Sequence, residues 1–93
     1  RFFNKLLNET MKNRKILNTN IEKIATKKKF SKFEILIKSI LNLGACEILF
    51  FKDLSHKISI AEYNKVSSSF LNKNEVGLIN SILDKLSKKN NNG

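Results

Sequence analysis

The sequence has no proline and no tryptophan, and its 93 residues include one cysteine, one histidine and three glycines. Each scarcity removes a class of protein. The single thiol, Cys46, cannot form an intramolecular disulfide, so a stapled secreted scaffold is excluded and a reduced, cytoplasmic setting is expected. One histidine and one cysteine cannot assemble a zinc quartet, and no cofactor, no metal and no glycine-rich phosphate loop is expected. Long apolar runs are missing too. The most apolar stretch, residues 39–51, contains Asn42 and Glu47 and lies between Lys38 and Lys52. It falls short of the roughly 20 residues a spanning helix needs, so no membrane partner is expected.

Acidic residues are the next shortage, with 8 Asp+Glu set against 18 Lys+Arg for a net charge of +10. A polyanionic partner is the natural reading of that balance. The excess is uneven: residues 1–32 hold ten basic and two acidic side chains, while residues 33–93 hold eight and six. Its densest point is Lys27, Lys28 and Lys29, joined by Lys32 after Phe30. This run precedes the expected start of a long helix, whose dipole also favours anions. Two readings of it stand, an anion-binding segment or a solvated loop that keeps the domain soluble. Phe30 is read as core packing rather than as a base-stacking ring.

With nothing to break helices by force, apolar residues recur at helical spacing along most of the chain. Phe3, Leu6, Leu7, Met11, Leu17, Ile21 and Ile24 follow the rhythm, as do Phe33, Leu36, Ile37, Ile40, Leu41, Gly44, Ala45, Ile48 and Leu49. Val76, Ile79, Ile82, Leu83 and Leu86 close the series. An all-α fold is predicted, a compact bundle of about five helices over 2–17, 20–26, 32–51, 60–70 and 73–88. The domain is expected to span residues 1–88, with 89–93 a frayed polar tail. Three helix starts carry a capping-box pattern: Ser31 with Glu34, Ser59 with Glu62, and Asn72 with Glu75. Flanking apolar pairs, Phe30 with Ile35, Ile58 with Tyr63 and Leu71 with Val76, look like hydrophobic staples. A weaker match at Thr19 and Glu22 suggests a break near Asn18.

No catalytic residue is expected. Asp53, Ser55 and His56 crowd one loop, too close in sequence for a nucleophilic triad, and read as solvated. Cys46 has no basic neighbour within a turn and reads as a packed thiol. The adjacent Phe50 and Phe51 point about 100° apart on a helix, so one of them is expected at a second interface, against either an N-terminal part of the protein or a partner protein.

From residue 33 onward, four short segments carry a family resemblance. Ile40-Leu-Asn-Leu-Gly-Ala-Cys-Glu-Ile-Leu49, Asp53-Leu-Ser55, Ser59-Ile-Ala-Glu62 with Val66 and Phe70, and Leu78-Ile-Asn-Ser-Ile-Leu-Asp-Lys85 each look like segments of the NusB family of bacterial transcription antitermination factors. Phe2-Phe3-Asn-Lys-Leu6-Leu7 resembles the helix that precedes them in that family. The chain departs from the family pattern at Asn42, Ser55, Ala61, Leu78 and Ser81, where the family has arginine, proline, asparagine, an aromatic and glycine. The family's first two helices and arginine-rich N-terminus have no counterpart, so an N-terminally truncated fragment, marginally stable or self-associating, is expected.

The resemblance implies an RNA-binding, non-enzymatic factor that takes boxA-type RNA in ribosomal RNA transcripts together with the ribosomal protein NusE, within the RNA polymerase antitermination complex. By position it places Asn74 and Leu78 at an RNA-facing start of the last helix, and Lys27, Lys28, Lys29, Lys32 and Lys73 are expected to contact phosphates. Two rivals remain at this point. The same resemblance extends to the RNA-recruiting domain of ribosomal RNA cytosine methyltransferases, which would continue beyond Lys85 into a cofactor-binding domain. The other is a helical protein–protein module whose charge serves solubility.

Overall fold

The computed structural model of the chain describes residues 2–25, 34–51 and 53–90, through which five helices run. They are α1 (Phe2–Lys12), α2 (Arg14–Ile24), α3 (Ile35–Phe50), α4 (His56–Ser68) and α5 (Lys73–Asn90). The all-helical architecture agrees with the periodicity. Among the described residues no helix is long and apolar enough to cross a membrane.

Helix α3 is the hub and packs against each of the other four, while α5 also packs on α2 and α4. Its sequence explains the position, because Ile37, Ile40, Leu41, Gly44, Ala45, Cys46 and Ile48 are buried and leave no continuous polar face. A helix apolar on most sides is stable only when surrounded. Leu6 of α1, Leu17 and Ile21 of α2, and Ile79, Ile82, Leu83 and Leu86 of α5 complete one core. At Gly44 the helices come close: a Cβ there would stand 2.9 Å from both Cδ atoms of Leu83. Glycine at 44 is what lets the Leu83 side chain lie against the α3 backbone.

Three helix starts differ from the sequence expectation, each for a visible reason. The first break falls at Asn13 rather than near Asn18. The Asn13 side chain donates to the Glu9 carbonyl at 2.8 Å, and the Thr19 hydroxyl and Asn20 amide donate to the carbonyls of Lys15 and Ile16. Polar side chains that bond back four residues are tolerated inside a helix, so Thr19 and Asn20 do not interrupt α2. Helix α3 begins at Ile35 with Glu34 as its N-cap in extended backbone, so Glu34 is not the third residue of a box, and Ser31 lies outside the described residues.

Helix α4 begins four residues early. Ser55 caps it by accepting the Ile58 N–H, and the expected cap, Ser59, sits inside the helix with 3% of its surface exposed. The box at Asn72 forms as read: Glu75 N–H donates to Asn72 Oδ1 at 2.9 Å, and Asn72 N–H donates to Glu75 Oε1 at 3.0 Å. Leu71 then packs on the core. Helix α5 continues through Lys89 and Asn90, and residues 91–93 of the polar tail lie outside the described residues. Near that end Lys88 pairs with Asp84 at 3.1 Å, an exposed i,i+4 contact worth about 0.3–0.5 kcal/mol.

Candidate nucleic-acid interface

The start of α5 is the best-defined part of the basic surface. Its reciprocal box fixes residues 72–75, and Lys73 and Asn74 project from the first turn into solvent. One turn on, Leu78 is half-buried and packs against the core. Gly77, on the same face as Lys73 and Asn74, has nothing within 4 Å of where a Cβ would stand, so bare backbone faces outward there. Because no space or dihedral requires that glycine, Gly77→Ala is expected to raise stability by about 0.5–1 kcal/mol in thermal or urea unfolding.

Just before this helix lies a feature that periodicity did not single out. Phe70, in the turn between α4 and α5, is 69% exposed. Its backbone is nonetheless fixed: the Phe70 and Leu71 N–H groups donate to the Ser67 carbonyl at 3.0 and 2.8 Å. Lys65 is exposed one turn upstream. The signal was the inverted pattern of α4, whose buried residues are Ser59 and Ser67 while Ile58 and Val66 face solvent.

The other predicted site residues fall elsewhere. Lys27, Lys28, Lys29 and Lys32 lie outside the described residues. Of the aromatic pair, Phe50 is the exposed member at 41%, and Phe51 packs against the core with Lys5 Nζ 5.7 Å above its ring. His56 is not on a solvated loop as expected. It is the first residue of α4 and half-buried, with Nδ1 2.8 Å from Ser87 Oγ, because α5 runs alongside and supplies a partner 31 residues away. Ser55 is occupied as the cap and Asp53 is exposed, so the three neighbours make no triad. Among the described residues no group of three or more His, Cys, Asp or Glu is arranged to hold a metal ion.

A polar clamp holds α4 to α3. The Glu47 carboxylate accepts from the Ser59 hydroxyl and, at 3.0 Å, from the Tyr63 phenol. Burial, reinforced by the Glu47 charge, pushes the Tyr63 phenol well above its ordinary value of 10.0. Burial likewise raises the Cys46 thiol above 9.0, with Glu9 and Glu47 adding to the shift and a hydrogen bond with Thr10 opposing it. The neutral forms are therefore favoured in the fold. Their contribution is complete below the unfolded values and is lost as pH rises beyond them. Urea unfolding between neutrality and strong alkali should show stability falling above about pH 9, with a shallower fall in Tyr63→Phe.

Comparison with known proteins accords with this architecture. The NusB family pattern matches residues 1–88. The transcription antitermination protein NusB of Rickettsia bellii is 45% identical over 56 residues, 60% of this chain and 36% of that protein. The Rickettsia typhi protein of the same name is 40% identical over 57 residues, 61% of this chain and 37% of that protein. The matched segment thus covers little more than a third of the relatives' length. A solved structure of T. maritima NusB superposes with a TM-score of 0.83 at 21% identity, over 90% of this chain and 59% of that one, and shares the fold. With the family pattern running across nearly all its residues and the fold in agreement, the chain belongs to the NusB family of transcription antitermination proteins.

Proposed function

We propose that the chain binds single-stranded RNA of the boxA type in ribosomal RNA transcripts, together with NusE, and so supports processive transcription by RNA polymerase. Family membership motivates the reading, and the observation that carries it is the start of α5. There a rigid, reciprocally capped first turn presents Lys73 and Asn74 to solvent on a chain of net charge +10. Phosphate contacts set register and supply most of the affinity, while base contacts supply the choice of sequence. Lys73 is assigned to phosphate and Asn74 to a base edge. Leu78 offers an apolar contact but no π face. Lys27, Lys28, Lys29 and Lys32 join by charge alone, and Phe50 is the aromatic offered to the protein partner.

A salt series tests this. Affinity for a boxA-like RNA, measured by anisotropy with and without NusE, is expected to fall steeply with salt. Lys73→Ala is expected to lower the slope of log affinity against log salt by about 0.7. Salt-independent affinity, or no affinity for boxA-like RNA with NusE present, would sink the reading.

A further inference from the structure

We propose that Phe70 is a stacking platform for one unpaired base of the RNA, beside the phosphate held by Lys73; the inference rests on the RNA-binding reading and adds the aromatic contact that Leu78 cannot supply. Three observations converge on it.

The ring is 69% exposed although the backbone beneath it is fixed. The Phe70 and Leu71 N–H groups are both bound to the Ser67 carbonyl, Leu71 is anchored in the core, and Asn72 is held in the capping box. A ring carried on an ordered turn loses little backbone freedom when a base stacks on it, which keeps the entropic cost of binding small. Its placement is the second observation. Phe70 stands two residues before the N-cap of α5 and three before Lys73, with Lys65 exposed on its other side in sequence. The acid nearest in sequence on the α5 side, Glu75, already accepts the Asn72 N–H. An aromatic face flanked by cations is the arrangement that single-stranded nucleic acid binders use, because every base has a π face and every nucleotide a phosphate. The third observation concerns Leu78, which is half-buried against the core and aliphatic. Without Phe70 the start of α5 offers cations and an amide but nothing on which a base can stack.

The experiment uses the 93-residue chain and a short fluorescein-labelled single-stranded RNA of boxA-like sequence. Phe70→Ala and Phe70→Leu are expected to weaken binding by about 5- to 100-fold, the range for removing one stacked base, and to leave the salt slope unchanged. Phe70→Tyr is expected to retain affinity. Phe70→Trp should retain it as well and report directly: the chain has no other tryptophan, so its fluorescence should be quenched as RNA is added. Circular dichroism melts of the exposed-site variants should match the parent.

Wild-type affinity in Phe70→Ala and Phe70→Leu, or an unquenched Phe70→Trp, overturns the assignment and leaves the RNA-binding reading standing. Failure of the folded parent to bind the RNA at low salt, with NusE present as well as without it, overturns both. RNA affinity intact with loss of a protein partner would give the ring to that partner and also overturn the proposal.

Discussion

Leu83→Ala is expected to lose about 3–5 kcal/mol of stability, the upper part of the range for deleting a fully buried leucine. A chain of this length has on the order of 5–14 kcal/mol to lose, so the variant should be partly unfolded at moderate temperature. The size follows from position. Leu83 is fully buried and its two methyl groups lie over Gly44 on the facing helix α3. The backbone there cannot collapse into the vacated space without moving the two helices that carry most of the core. The converse change, Gly44→Ala, inserts a methyl 2.9 Å from both Leu83 methyls and is expected to cost about 1–3 kcal/mol by overpacking, less a fraction returned by better helix propensity. The double variant supplies the sharper test. An added methyl at 44 fills part of the cavity at 83, so the double should be more stable than the sum of its singles by about 1 kcal/mol or more. Strict additivity in urea unfolding would show that the two positions do not share one space.

How much of this was legible in the sequence depended on whether a residue's partner was local. The start of α5 was readable because every participant is close in sequence: Asn72 and Glu75 form the box and Leu71 anchors it. Helix α3 was readable because an apolar surface on most sides leaves only a central position. Helix α4 was misread for the opposite reason. Ser59 looks like a cap next to Glu62, yet its hydroxyl belongs to Glu47, twelve residues away on another helix. Its buried residues are Ser59 and Ser67, with Ile60 and Tyr63 half-buried beside them, while Ile58 and Val66 face solvent, so apolar periodicity alone does not mark its inward side. Likewise the partner of His56 is Ser87, which no local pattern announces. Lys73 and Asn74 are proposed contacts taken from charge and family position, and the structure adds that both are exposed on the first turn of α5. Phe70 was visible as an apolar residue of a family-like segment but not as an exposed one, since Leu71 takes the core position beside it.

Removing the carboxylate of Glu47 should have the second large effect. Glu47→Ala is expected to cost about 2–4 kcal/mol, because it leaves the nearly buried Ser59 hydroxyl and the half-buried Tyr63 phenol without their shared acceptor. Each unsatisfied group carries its own desolvation penalty, and the lost side chain adds packing around α3. Glu47→Gln is the instructive comparison. A glutamine keeps one oxygen for one hydroxyl, and the other hydroxyl can rotate to accept from the amide, so the hydrogen-bond inventory still closes. The expected cost is therefore about 1 kcal/mol, the scale of replacing a charge-assisted bond by a neutral one. Tyr63→Phe removes one donor and leaves the carboxylate bonded to Ser59, so it should also be mild. The ordering Glu47→Ala worst, with Glu47→Gln and Tyr63→Phe close together, is checked by urea unfolding near neutral pH. Equal losses for Glu47→Ala and Glu47→Gln would mean that the negative charge, rather than the acceptor geometry, holds α4 against α3. The consequence extends to the proposed RNA contact, since Phe70 projects from the turn that follows α4. In Glu47→Ala, RNA affinity should fall together with stability, whereas Phe70→Leu should lower affinity alone.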